Sequence, residues 1–167
     1  MEPIADIAIK NAGAYAARYE LRLGERLGFG VHGSVHVVEH KIKKDKSAIK
    51  SHRAREYYLR ERAVYERLRG AGISDILGFH VPQFIRADDD LQVIEMTIVT
   101  RPFVLDFAGA YVGAPPEFSE EIWAEWEAEK REQFGGRWTV VRAVMNALED
   151  SGIYLVDVSP SNIAFLD

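Results

Sequence analysis

Residues 28–35 form the stretch of sequence that decides the fold, Gly28-Phe29-Gly30-Val31-His32-Gly33-Ser34-Val35. A second stretch, Ser47-Ala48-Ile49-Lys50, follows after a run of alternating residues. Three glycines at this spacing let a strand–turn–strand approach a triphosphate without obstruction by Cβ atoms, and a lysine on the next strand can reach the phosphate oxygens. The residues that we expect to line this nucleotide site are Gly28, Gly30, Gly33, Val35, Ala48 and Lys50.

Composition bounds the class of protein. The chain has 167 residues, 47% of them hydrophobic, which is enough for one sizeable core. A formal net charge of −5 gives no basic surplus for a polyanion, so we do not expect a nucleic-acid partner. The absence of cysteine removes disulfides and thiolate metal sites and fits a reducing cytoplasm. Because no apolar run approaches the roughly 18 residues of a membrane span, and residues 1–10 lack the core of a signal peptide, we expect a cytoplasmic protein without a membrane partner.

Periodicity divides the chain into three parts. Residues 1–18 are alanine-rich and predict a short helix or a loosely docked N-terminal arm. Residues 19–99 alternate in a way that predicts five strands and one helix. Thr100-Arg101-Pro102 breaks the pattern and predicts a hinge, after which residues 100–167 read as helices and a closing loop. The predicted strands are Tyr19 to Leu27, Ser34 to Lys43, Ser47 to Ser51, Val81 to Ala87 and Leu91 to Val99, and the predicted helices are Arg53 to Arg69, Glu117 to Phe134 and 138–148.

One acidic residue of the first predicted long helix lies on its apolar face. The helical neighbours of Glu61 are apolar or aromatic, namely Tyr57, Tyr58, Val64, Tyr65 and Leu68. A buried carboxylate needs a cation, and Lys50 on the preceding strand is the natural one. The alternative is an ordinary surface pair of Glu61 with Arg60 or Arg62.

This order of elements resembles the protein-kinase-like fold over roughly Tyr19 to Asp167. The resemblance implies an α+β protein with an antiparallel five-stranded N-lobe carrying one helix, over residues 19–99, followed by a hinge and a reduced helical C-lobe over residues 100–167. It implies ATP bound between the lobes, with Lys50 and Glu61 clamping its phosphates. It also implies that adenine bonds to backbone groups of the segment from Glu95 to Thr97.

The stretch from Asp157 to Asn162 strengthens the resemblance. The family's catalytic loop has an aspartate, a proline three residues later and an asparagine five residues later, and Asp157, Pro160 and Asn162 reproduce that spacing. By resemblance, Asp157 orients or deprotonates the acceptor hydroxyl and Asn162 ligates Mg²⁺. The alternative is a polar loop in which Asp157 and Asn162 only bond to backbone.

The chain also departs from the family pattern. Leu155 and Val156 stand at the usual histidine and arginine positions, and Ser159 stands where protein kinases place a lysine. The family's second metal-binding aspartate, in an Asp-Phe-Gly segment, is expected beyond the strand that follows Asn162, whereas the printed sequence reaches only Asp167. We therefore expect weak or atypical phosphotransfer to a protein or small-molecule acceptor. The alternatives are a catalytically inactive pseudokinase that acts as an interaction scaffold, and half of a split enzyme completed in trans.

The last predicted helix bears an apolar stripe of Trp138, Val141, Met145 and Leu148. In the family such a helix packs on others of the large lobe, so the stripe suggests a homodimer or a protein partner. Alternatively, the helix bearing Phe118, Ile122 and Trp126 folds back to cover it.

Overall fold

The computed structural model describes residues 4–167. In this range a first helix is followed by three strands, a second helix by six strands, and the last two helices by two short strands. In chain order the elements are α1 Ile4–Arg18, β1 Leu21–Phe29, β2 Gly33–His40, β3 Lys46–His52, α2 Arg55–Gly70, β4 Asp75–Ile76, β5 Phe79–His80, β6 Phe84–Asp88, β7 Val93–Met96, β8 Phe103–Val104, β9 Tyr111–Val112, α3 Glu120–Phe134, a 3₁₀ turn Gly135–Arg137, α4 Trp138–Glu149, β10 Ile153–Tyr154 and β11 Ile163–Ala164.

The central feature is an antiparallel sheet of five strands in the order β1-β2-β3-β7-β6. Strand β3 lies in the middle and pairs with β2 and β7, which places Lys50 opposite both Val35 and Ile94. The α+β class and the antiparallel five-stranded sheet are therefore confirmed. The strand predicted to continue to Val99 ends at Met96, because the Thr97 N–H and hydroxyl bond to the backbone of Gln83 instead of extending the ladder.

Helix α1 covers one face of this sheet. Ala12 and Tyr15 of the helix pack against Val38 and Ile49 of the strands, and all four side chains are fully buried. Alanine has no side chain beyond Cβ, which allows the helix to approach the strands closely. The N-terminal segment thus forms the helix that the sequence allowed, and the helix is packed on the sheet.

Helix α2 covers the opposite face and carries the acid singled out in the sequence. Its buried side chains recur at helical spacing and form one stripe, Tyr58, Glu61, Val64, Tyr65 and Leu68. Glu61 is completely buried within that stripe, whereas Glu66 on the same helix is exposed. Burial of this one acid requires a compensating cation nearby.

A small ladder organises the C-terminal half. Strand β11 pairs antiparallel with β8, with Ile163 opposite Val104, and the Leu105 N–H donates to the Asn162 carbonyl oxygen at 2.8 Å. The residues just after β8 are therefore held beside the residues just before β11. This pairing brings two loops that are distant in sequence to the edge of the five-stranded sheet.

The apolar stripe of α4 is buried within the chain itself, including Trp138, Val141, Met145 and Leu148. Helix α3 contributes to the cover, because the Trp126 ring lies 6.0 Å from that of Trp138. Ile122, on the same helix, remains about half exposed. Helix α3 therefore folds back onto α4 and covers its apolar stripe at Trp126. The homodimer or protein partner stays a prediction.

Within residues 4–167, no helix is both long and apolar enough to cross a membrane.

Candidate functional site

A cavity of about 490 Å³ opens between the five-stranded sheet and the loops of the C-terminal half. Its roof is the glycine-rich turn between β1 and β2, and its floor includes Lys50 and Glu61. Other lining residues come from the segment after β7 and from the two loops joined by the β8–β11 ladder. These residues are Met96, Thr97, Ile98, Val99, Leu105, Asp106, Ser161 and Asn162.

Lys50 and Glu61 form a buried ion pair at the floor of the cavity. The Lys50 Nζ lies 3.0 Å from both carboxylate oxygens of Glu61. Burial alone raises the pKa of Glu61, but attraction to Lys50 and the hydrogen bond from His52 outweigh it and lower the pKa to about 2. Burial lowers the pKa of Lys50, and the two carboxylates of Glu61 and Asp106 reverse this effect and raise it. The structure thus brings together the lysine and the glutamate that the sequence paired, and the surface pair with Arg60 or Arg62 is not formed.

The third member of this cluster is Asp106, whose importance the sequence did not reveal. The Lys50 Nζ donates to the Asp106 Oδ1 at 2.8 Å, and Asp106 adopts the left-handed conformation with φ of 63°. Aspartate tolerates this conformation better than most residues. The next residue, Phe107, donates its backbone N–H to Glu61 Oε2 at 2.9 Å. One lysine, one glutamate and one aspartate therefore meet below the glycine-rich turn.

Asp106 comes from a part of the chain in which no site residue was expected. From the sequence, an acidic residue of an Asp-Phe-Gly segment is expected beyond the strand that follows Asn162. The structure instead brings Asp106 beside Lys50 from a segment that precedes Asn162 in the chain. In the sequence Asp106 is followed by Phe107, Ala108 and Gly109, and the β8–β11 ladder holds this segment beside the loop that contains Asn162.

The loop from Asp157 to Asn162 lies beside the Asp106 segment. A Cβ atom built on Gly109 would lie 3.0 Å from the Asp157 Cβ and 3.6 Å from its Oδ2. The Asn162 Nδ2 donates to the Asp157 carbonyl oxygen at 3.1 Å and thereby stabilises the loop. Asn162 also lines the cavity, and its amide oxygen is a group that can bind a metal. The Asp157 carboxylate is 57% exposed, so it remains accessible to a substrate.

His32, at the tip of the glycine-rich turn, reaches across to Asp157. Its Nε2 lies 3.7 Å from the Asp157 Oδ2, and its ring packs 4.2 Å from that of Tyr57. The turn and the Asp157 loop therefore approach each other at one end of the cavity.

The three glycines of the turn differ in what surrounds them. A Cβ atom on Gly33 would lie 2.1 Å from the Ser51 carbonyl oxygen, so the close pairing of β2 with β3 requires glycine there. A Cβ atom on Gly28 or Gly30 would meet nothing within 4 Å. Since Gly28 and Gly30 line the cavity, their lack of side chains leaves space for a ligand there.

Val35 and Ala48 line the same cavity, as the sequence predicted. Glu95 does not contribute its side chain, which points to the other face of the sheet and bonds to Tyr15 at 2.7 Å and to Ser47 at 2.8 Å. Thr97 lines the cavity, but its N–H donates to the Gln83 carbonyl oxygen at 2.9 Å. The next two residues, Ile98 and Val99, also line the cavity.

Among the described residues, no three histidine, aspartate or glutamate side chains converge as a ready-made metal site. Comparison of the chain with models of protein families, with curated proteins and with solved structures found no match.

Proposed function

We propose that this protein binds ATP with Mg²⁺ in the cavity and acts as a kinase-like phosphotransferase. The observation that carries the proposal is the position of Lys50, which bonds to both Glu61 and Asp106 below the glycine-rich turn. A buried lysine oriented by two carboxylates at the floor of an open cavity is suited to bind the oxygens of a phosphate.

The arrangement of the sheet supports the resemblance noted in the sequence. The glycine-rich turn joins β1 to β2, the lysine lies on β3, the glutamate lies on the helix that follows, and β6 and β7 complete the sheet. These parts occur in the order in which protein kinases use them. In this chain the aspartate beside Lys50 precedes Asn162 in the sequence, whereas the family's second metal-binding aspartate follows the asparagine.

The walls of the cavity suit the two ends of ATP. Val35, Ala48 and Met96 provide an apolar slot for adenine, and the backbone at Ile98 and Val99 lies at its edge. For the phosphates, the cavity offers the Lys50 ammonium and the positions of Gly28 and Gly30, where a Cβ atom would meet nothing within 4 Å. The cavity therefore offers both apolar surface that suits a base and a cation that suits phosphates.

Asp106 and Asn162 are the residues that would hold Mg²⁺. Both offer oxygen ligands and both line the cavity, and Mg²⁺ in nucleotide sites commonly takes one or two protein oxygens together with phosphate oxygens. The absence of a three-residue cluster among the described residues fits such a shared site. The metal, when bound, would offset the negative charge that develops on the transferring group.

Asp157 is the candidate for accepting the proton of the acceptor hydroxyl. It does not line the cavity itself, but it is exposed, it lies 3.7 Å from His32, which does line the cavity, and it lies against the segment that carries Asp106. Its carboxylate is not engaged by Lys50, so it can accept a hydrogen bond from an incoming hydroxyl.

Calorimetric titration with a non-hydrolysable ATP analogue, with and without Mg²⁺, tests the proposal. We expect Mg²⁺-dependent binding in the wild type and a loss of more than about tenfold in affinity in Lys50→Ala, since a charge-assisted hydrogen bond contributes about 1.5–3 kcal/mol. Lys46→Ala is the matched control, because Lys46 lies on the same strand but is exposed.

Phosphate release from ATP, measured with water as the acceptor, then tests the transfer step. Asp157→Ala should lower the rate and leave binding of the analogue unchanged. Binding that survives Lys50→Ala unaltered would refute the assignment of the site. Absence of nucleotide binding in the folded wild type under all conditions would instead support the pseudokinase scaffold.

A further inference from the structure

His52, the last residue of β3, contacts the Lys50–Glu61 pair through Glu61 and is not among the residues that line the cavity. Its side chain is fully buried, and its Nε2 lies 3.0 Å from the Glu61 Oε1. Its Nδ1 lies 3.1 Å from the Gln92 carbonyl oxygen. Residues two apart on a strand point to the same face, so His52 and Lys50 approach Glu61 from neighbouring positions of β3.

Both partners of this imidazole are acceptors. A carbonyl oxygen carries no proton, and the Glu61 carboxylate accepts from the Lys50 ammonium at both oxygens and from the Phe107 N–H, so it also acts as an acceptor. A neutral imidazole has one N–H and can satisfy only one of the two contacts. The geometry at both nitrogens is therefore satisfied only by the doubly protonated, positively charged ring.

Charge balance in the cluster agrees with this state. Lys50 and a charged His52 face Glu61 and Asp106, which gives two cations and two anions in contact. The other titratable group packed on the His52 ring is Tyr58, whose ring centre lies 5.6 Å away and whose hydroxyl donates to Asp89. With a neutral His52 the buried cluster would carry an uncompensated negative charge, which is costly.

We infer that His52 is the permanent counter-ion of Glu61, and that this leaves Lys50 available for phosphate oxygens. When a nucleotide enters, Lys50 can shift its hydrogen bonds toward the phosphates, because Glu61 keeps His52 and the Phe107 N–H as donors. His52 is then a positioning residue that fixes α2 against β3. The part played by Lys50 rests on the proposed function, whereas the charge of His52 does not.

Nitrogen NMR of the imidazole rings in the nucleotide-free protein tests the charge directly. At neutral pH we expect both nitrogens of His52 to be protonated. His40 provides an internal contrast, because its Nδ1 accepts from the backbone N–H groups of Ile42 and Lys43 and must lack a proton. A neutral tautomer at His52 would overturn the inference, whatever the protein does with nucleotides.

A double-mutant cycle tests the sharing of Glu61. Lys50→Met leaves Glu61 with His52, and His52→Phe leaves Glu61 with Lys50, whereas the double variant leaves the buried carboxylate with no cation. We expect the double variant to lose more stability in urea unfolding than the two single losses combined. Additive losses would contradict the shared counter-ion.

The effect on binding separates positioning from simple packing. In His52→Phe, Lys50 becomes the only cation on Glu61, so affinity for the Mg²⁺-bound ATP analogue should fall about tenfold in a folded protein. His36→Phe, which replaces a buried histidine of β2 that does not touch Glu61, should leave the affinity unchanged. Equal losses in the two variants would show that His52 acts through packing alone. If the wild type binds no nucleotide, the proposed function fails while the NMR result and the stability cycle still decide the charge of His52.

Discussion

Gly109 and Asp157 approach each other so closely that a Cβ atom on Gly109 would lie 3.0 Å from the Asp157 Cβ. The two residues belong to segments joined by the β8–β11 ladder. Their proximity couples the Asp106 segment to the Asp157 loop, because any residue larger than glycine at position 109 must displace Asp157.

Gly109→Ala should therefore impair transfer more than binding. The added methyl group shifts Asp157 by a few tenths of an ångström, and a displacement of this kind at a reacting group can cost a large factor in rate. We expect slower phosphate release from ATP with unchanged affinity for the non-hydrolysable analogue. Gly13→Ala is the control, since a Cβ atom there meets nothing within 4 Å, and it should raise the free energy of unfolding by about 0.4–1 kcal/mol without changing the rate. A normal rate in Gly109→Ala would show that Asp157 tolerates the displacement.

Substitutions of two glycines of the β1–β2 turn should affect different properties, stability in Gly33→Ala and nucleotide binding in Gly30→Ala. Gly33→Ala places a methyl group 2.1 Å from a backbone oxygen of β3, so it should lower the free energy of unfolding by more than about 2 kcal/mol. Gly30→Ala has open space around it and should change stability by less than about 0.5 kcal/mol. We expect Gly30→Ala to weaken binding of the ATP analogue about tenfold, because its methyl group occupies space that the phosphates need. Thermal unfolding and calorimetry of both variants would distinguish the two roles.

Local pattern was sufficient to predict the sheet and the Lys50–Glu61 pair. Strand alternation, the glycine turn and the apolar neighbours of Glu61 are all read within short windows of sequence. The packing of α1 was not predictable in the same way, since an alanine-rich segment is compatible with a docked or a loose helix. Its position depends on contacts with strands far along the chain, such as that of Tyr15 with Glu95.

Asp106 shows where sequence pattern fails. Its position beside Lys50 depends on the pairing of two two-residue strands, β8 and β11, which are too short to produce a periodic signal. Local pattern does not fix the direction of the Glu95 side chain either. Neighbouring strand residues point to opposite faces, and only the register fixes which face adjoins the cavity.

Asp106→Asn should reduce the dependence of nucleotide binding on Mg²⁺. The amide is a weaker metal ligand than the carboxylate, and it also removes a negative charge that opposes phosphates when the metal is absent. We expect weaker binding of the ATP analogue with Mg²⁺ and equal or tighter binding without it, measured by calorimetry. Asp90→Asn, at an exposed turn residue, should leave both affinities unchanged. An unchanged ratio of the two affinities in Asp106→Asn would exclude Asp106 as a metal ligand.

The buried carboxylate of Glu61 should make the fold sensitive to acid. Its pKa falls from the ordinary value of 4.5 to about 2 in the folded protein, so its stabilising effect is complete above pH 4.5 and is lost as the pH falls toward 2. The loss over this window should be about 3 kcal/mol in the free energy of unfolding. Urea unfolding at several pH values should show a shallower acid slope for Glu61→Gln than for the wild type, whereas Glu66→Gln, on the exposed side of the same helix, should keep the wild-type slope. Part of the slope should persist in Glu61→Gln, because a second carboxylate, Asp88, also has a lowered pKa in the folded protein and so loses stabilising effect in acid. Burial raises the pKa of Asp88, but hydrogen bonds from Tyr19, Leu91 and Arg18 lower it overall.

Besides the backbone hydrogen bonds from Gly30 N–H to Gly33 O and from Arg53 N–H to His32 O, side-chain contacts of Arg53 and Asp157 hold the glycine-rich turn. Arg53 donates through Nη1 to the carbonyl oxygens of Gly30 and Val31, and its guanidinium lies 4.3 Å from the Phe29 ring centre. On the other side, His32 meets the half-exposed Asp157 at 3.7 Å, which is too long for a strong hydrogen bond.

Hydrogen exchange of the turn amides should therefore respond more to Arg53 than to Asp157. Hydrogen bonds from a charged donor contribute about 1.5–3 kcal/mol, so Arg53→Ala should speed exchange over residues 28–33 by more than about tenfold. The His32–Asp157 contact is longer than a strong hydrogen bond and the Asp157 side chain is largely exposed, so Asp157→Asn should speed exchange by no more than about fivefold. Asp150→Asn, at the end of α4, is the control without an effect on the turn. The reverse order, with Asp157→Asn the larger perturbation, would mean that the turn is held mainly from the Asp157 loop and that closure over a ligand depends on His32.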